Sequence, residues 1–154
     1  MAGNIFHRLW LRPSQLRTVA ERRFADAAYL RRSDQNERAN GVMYLAGFVV
    51  ECLLKAQLIE RYPWLQHTRS PELLSQGDRH IWSLCYRSHD LDEILSHLPE
   101  VARMLARPDR NVLSILRGIC EAWTIYARYS PHSAKMSEAA EFLAHVKEIK
   151  KCLN

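Results

Sequence analysis

Residues 41–59, GVMYLAGFVVECLLKAQLI, are mostly apolar, and only two charges, Glu51 and Lys55, interrupt them. A helix this apolar around its whole circumference has two homes, the centre of a bundle or a bilayer. The longest uninterrupted stretch, Gly41 to Val50, ends at Glu51 before reaching the roughly 18 to 20 residues that a spanning helix requires. The sequence therefore predicts a buried core helix and no membrane contact. A carboxylate inside such a helix needs a partner, and Lys55 stands one turn on in the favourable Glu-then-Lys order. Two readings of the pair stay open: an internal ion pair that pins helix packing, or a polar group at a dimer or ligand surface.

The remaining pattern is also helical. Between Ser14 and Arg32, Leu16, Ala20, Phe24, Ala27 and Leu30 keep one stripe, with Arg17, Glu21, Arg22 and Asp26 spaced for i,i+4 ion pairs outside it. Asp34 and Glu37 have capping-box spacing ahead of the core helix, which Pro63 ends after Tyr62. Residues 63–89 lack a sustained period and predict a long ordered connection, packed through Trp64, Trp82 and Tyr86 and containing short helical turns. Asp90 and Glu93 repeat the capping-box spacing before a short helix that Pro99 ends or kinks, and Pro108 marks another boundary. Val112, Leu116, Ile119, Trp123 and Tyr126 then predict a core helix running to Tyr129, ahead of Pro131. Met136, Ala140, Leu143, Val146 and Leu153 predict a last helix, with Lys147, Lys150 and Lys151 at its dipole-favourable end. The expected fold is an all-α, up-and-down bundle of four to five helices in one domain over residues 1–154, long enough for a single core.

Familiar chemistry is missing. There is no phosphate-binding G-x-x-x-x-G-K-[ST] loop and no G-x-S-x-G nucleophile turn. Glu93 with His97 and Glu141 with His145 fall at i,i+4, not the i,i+3 of a di-iron bundle, and predict surface ion pairs; no metal and no cofactor are expected. Cys52, Cys85, Cys120 and Cys152 occur singly, as buried free thiols would. That usage suits a reducing compartment, and His7 and Arg8 break the apolar stretch an export leader would need, so a cytoplasmic location is expected. The formal charge is +5, and 17 of the 22 basic residues are Arg, a composition compatible with phosphate contact and equally with a solvated surface.

Residues 23–56, RFADAAYLRRSDQNERANGVMYLAGFVVECLLKA, resemble HEPN domains, which carry an A-x-x-L near the end of the first helix and Y-L-A-G-Y-x-x-E-x-x-L-K-A along the second. Phe48 stands where Tyr is usual. His89-Asp90-Leu91 matches the HDL that opens a later helix in such proteins, and Trp123 with Arg128-Tyr129 is similar to their late W-x(4)-R-Y element, so the likeness spans roughly residues 20 to 130. It implies a homodimeric bundle that binds a nucleotide, RNA or partner protein, often in toxin–antitoxin or defence systems beside a nucleotidyltransferase-type antitoxin. Many such domains are metal-independent RNases built on Arg-x(4 to 6)-His, where Arg stabilises phosphate charge and His moves a proton.

Here only three residues separate Arg128 from His132, Arg61 and His67 straddle Pro63, and Arg110-Asn111 has no His nearby. The first expectation is a dimeric binding module without efficient nuclease chemistry, contacting its ligand through Arg128, Tyr129, His89 and Asp90. One alternative is an RNase toxin with Arg128 and His132 as catalytic residues and Tyr129 positioning phosphate. Another is a dimeric adaptor with no anionic ligand.

Overall fold

The computed structural model describes residues 10–68, 70–106 and 111–154, apart from the side chain of Arg128. Residues 1–9 and the boundary around Pro108 and Arg110 lie outside that description. The described chain is all-α: α1 Pro13–Arg31, α2 Ala39–Arg61, α3 Gln76–Tyr86, α4 Leu91–Ser96, α5 Pro99–Leu105, α6 Val112–Ala122 and α7 Met136–Leu153, with short 3-10 turns between them.

Helix α2 is the axis. Its eight residues from Val49 to Ala56 are all buried in succession, which a two-helix contact cannot achieve. Helices α1 and α7 lie along it, and α3, α4 and the 3-10 turn Ile125–Tyr129 close the remaining side. The stretch Asn36–Arg61 is by length and composition long and apolar enough to cross a membrane, contrary to the run-length expectation, but most of it is buried inside the fold. One chain thus covers its own central helix, and the apolarity of α2 does not by itself call for a second copy.

Local chemistry explains the element ends. Pro13 opens α1 from the first-turn position where its missing N–H costs nothing, and Tyr62 closes α2 because Pro63 cannot continue it. Asp34 does not cap: it takes a left-handed φ of 50°, and the core helix begins later, at Ala39, after a 3-10 turn. Asp90 does cap, its carboxylate accepting the Glu93 N–H at 2.9 Å, while Glu93 itself turns to His80 instead of completing a box or pairing with His97. Pro99 starts α5.

Two expectations are corrected outright. The 63–89 connection contains α3, a full helix started by Ser75, whose hydroxyl accepts the Asp78 N–H. The helix expected over 112–129 stops at Ala122: Trp123 and Thr124 are extended, and Ile125–Tyr129 is a separate 3-10 turn. Charges on α1 also pair across helices. Arg17 forks onto Glu60 at 2.7 and 2.9 Å, and Glu21 accepts from Lys150 of α7, because a tertiary neighbour lies nearer than the next turn.

Candidate functional site

Five residues share one edge of α2. Asn40, Tyr44, Gly47, Glu51 and Lys55 are spaced four, three, four and four apart, which places them in line on one face of a helix. Every non-helical segment of the site is fastened to that line.

At its C-terminal end sits a buried charge cluster. Lys55 donates to Glu51 Oε1 at 2.8 Å and to the Ser88 carbonyl at 2.8 Å. His89 Nδ1 lies 3.0 and 3.1 Å from the two Glu51 oxygens. Glu51 is 2% exposed and Lys55 6%, so each charge must be answered inside the protein. Their mutual bond, the Ser88 carbonyl and His89 do so, and they tie the α3–α4 connection to the core helix. Of the two readings left open for this pair, the internal ion pair is present.

In the middle, the indole of Trp123 lies flat on α2. It stacks against Tyr44 at 6.1 Å between ring centroids, and a Cβ at Gly47 would come within 2.0 Å of its Nε1. Only glycine admits the ring there. Trp123 is 6% exposed, and its Nε1–H is buried without an acceptor among the described residues. Trp123 keeps the helical N–H bond to the Ile119 carbonyl at 2.8 Å and turns extended at its ψ, so α6 itself delivers the ring to Gly47.

At the N-terminal end, Asn40 Nδ2 donates to the His132 carbonyl at 2.7 Å and its Oδ1 accepts the Ala134 N–H at 2.8 Å. Asn36 Oδ1 accepts the Met136 N–H at 2.8 Å. Sequence reading missed both asparagines; the available signal was that Asn40 extends the Tyr44–Gly47–Glu51–Lys55 line one turn back.

Two clefts flank the Trp123–Tyr126 segment and share it as a common wall. The first, about 620 Å³, is bounded by His89, Asp90, Asp92, Cys120, Glu121 and Tyr126. The second, about 590 Å³, is bounded by Asn40, Met43, Tyr126, His132, Ser133 and Phe142. Both fall in the range of small-ligand sites. They differ in charge: carboxylates line the first, and no carboxylate among the described residues lines the second.

The sequence-predicted site residues divide accordingly. His89 and Asp90 line the first cleft, and the Asp90 carboxylate is already engaged as the α4 cap. His132 is exposed and lines the second. Arg128 belongs by its backbone to the 3-10 turn, not to the end of a core helix; its side chain lies outside the described residues. Tyr129 is exposed, and the aromatics that line both clefts are buried Trp123 and Tyr126, the latter three residues earlier than Tyr129 and 73% exposed. Arg61 of the other Arg-x(5)-His candidate is bonded to Glu100 and Tyr62.

Metal and thiol chemistry find little purchase. No group of three or more potential ligands occurs among the described residues. Burial pushes the thiols of Cys52, Cys85 and Cys120 up to about 12, away from the thiolate form. Beside Cys120 the carboxylates of Asp92, Asp90 and Glu121 add to that effect. Comparison of the chain with protein-family models, with curated proteins and with solved structures finds no match in any of the three.

Proposed function

We propose that this chain is a binding module of the HEPN type, acting as a homodimer and taking a nucleotide or a short RNA segment in the second cleft. What carries the reading is the hold of Asn40 on residues 132–134, which sets His132 and Tyr126 across one concavity with no carboxylate among its described lining residues. An exposed tyrosine offers a base a stacking face, and an imidazole offers phosphate a hydrogen bond. Arg128, on the same turn, supplies the counter-charge in this reading. The second copy is supported by the family likeness and by the exposed aromatics Tyr126 and Tyr129 on one turn.

Binding without efficient cleavage is favoured because only three residues separate Arg128 from His132, with the end of a 3-10 turn and extended backbone between them, short of the spacing that RNases of this type use. The test is to denature purified protein and look by mass spectrometry for released nucleotide or RNA. Labelled RNA is then incubated with the protein at low salt, with and without chelator. Retention that weakens steeply with salt, without cleavage, is the expected result. Chelator-resistant cleavage abolished by His132→Ala would establish the RNase instead. Neither retention nor cleavage, from a dimer by light scattering, would leave an adaptor.

A further inference from the structure

The loop that carries His132 has already committed its backbone donors. The Ser130 N–H donates to the Ala127 carbonyl at 3.3 Å, and the His132 N–H to the Ser130 hydroxyl at 3.2 Å. Asn40 Oδ1 takes the Ala134 N–H, Glu138 Oε2 the Lys135 N–H at 2.7 Å, and Asn36 Oδ1 the Met136 N–H. Pro131 has no N–H to give. From 130 to 136, Ser133 is then the one residue whose N–H has no partner among the described residues.

Backbone donors are what a polyphosphate site is made of: a run of free N–H groups, or an open helix N-terminus, surrounds successive phosphates. The side chains of Ser130, Asn40, Glu138 and Asn36 occupy those donors here. The start of α7 also holds an anion of its own, since the Glu138 carboxylate sits in the first turn, where the helix dipole favours it. Glu138 stands one turn before Phe142, which lines the second cleft, so the two share a face of α7. What the loop leaves for a ligand is carried by side chains, the exposed imidazole of His132 and the hydroxyl of Ser133, with Tyr126 on the same cleft. That set suits one phosphate beside one base.

We propose that the second cleft takes a nucleotide unit bearing a single phosphate, and discriminates against nucleoside di- and triphosphates. The assignment rests on the reading of this cleft as a nucleotide site and narrows it. Adenosine, AMP, ADP, ATP and tetra-adenylate are titrated separately into the full chain by calorimetry, at low salt and with EDTA so that no divalent ion masks the phosphates. AMP is expected to bind about tenfold tighter than adenosine, with ADP and ATP no tighter than AMP. His132→Ala should bring AMP to the level of adenosine. Glu138→Gln keeps an acceptor for the Lys135 N–H but removes the charge, and should tighten ATP about threefold while leaving AMP unchanged. Both variants alter exposed side chains. Tetra-adenylate binding tighter than AMP would place the phosphate in an RNA strand, and equal binding would make the ligand a free monophosphate; either supports the single-phosphate contact. ATP binding tenfold or more tighter than AMP, or AMP binding undiminished in His132→Ala, would overturn the assignment and leave the cleft a nucleotide site. Binding of none of the five would overturn the nucleotide reading, and this assignment with it.

Discussion

The two ends of the α2 line do similar mechanical work by opposite means. Around Glu51 and Lys55 the fastening is ionic and buried, and it joins α2 to the α3–α4 connection. Around Asn40 it is neutral and borders solvent, and one amide holds a loop through two hydrogen bonds. The first end resists change because each charge would be stranded if its partner left. The second tolerates change, since backbone groups released near solvent find water. A site that must admit a ligand is therefore better placed at the Asn40 end, and the charge cluster better suited to hold a fixed wall.

The sharpest way to break the comparison lies between the two ends. Gly47→Ala drives a methyl group into an indole with no room to retreat, and is expected to cost about 3 kcal/mol or more, at the upper end of overpacking, read from the shift in a urea melt. Glu51→Ala should follow at roughly 2 to 4 kcal/mol, since it leaves Lys55 buried without its carboxylate; a melt matching wild type would remove the ionic half of the comparison. Asn40→Ala is expected to cost less, about 1 to 2 kcal/mol, while weakening RNA retention more than Glu51→Ala does. Equal effects of the two on retention would erase the distinction between wall and gate.

Two smaller effects test the frame. Hydrogen bonds from Lys150 and Asn154 hold the Glu21 carboxyl below its ordinary value. Its contribution is therefore present above the ordinary carboxylate range and disappears as pH falls through the lowered value. Glu21→Gln should lower stability near neutrality by only about 0.2 to 1 kcal/mol, as a pair with a half-exposed carboxylate does, and the difference from wild type should vanish in acid. The native protein should also show one thiol to an aromatic disulfide reagent near neutral pH, half-buried Cys152, and four after denaturation, because burial raises the other three to about 12.

How much of this was legible follows from what each region's signal depends on. The core helix and the Glu51–Lys55 pair were readable because burial and one-turn spacing are local properties of residues 41–59. The all-α class was readable for the same reason, from periodicity in α1, α2 and α7. Helix α3 hid because QGDRHIWSLCY opens with polar residues, and its start depends on the Ser75 hydroxyl rather than on an apolar period. The end of α6 hid because no Gly or Pro marks it. The chain turns extended at Trp123, whose ring is seated on Gly47, 76 positions earlier, and no local pattern carries that contact. The partners of Arg17 and Glu21 were misassigned for a like reason, since spacing along one helix is silent about what lies across from it. Asp34 had the spacing of a cap but a left-handed backbone, so its carboxylate could not serve as one.

The central claim is that the α2 line holds distant segments in place, and the contact of Gly47 with Trp123 tests it most directly. Gly47→Ala should be measured alone and in a Trp123→Leu background, with stability taken from chemical denaturation. If the indole is what forbids a side chain at Gly47, the roughly 3 kcal/mol loss disappears once the ring is gone. Alanine then becomes neutral or stabilising by about 0.5 to 1 kcal/mol, its ordinary advantage over glycine inside a helix. An undiminished loss from Gly47→Ala in the Trp123→Leu background would contradict it.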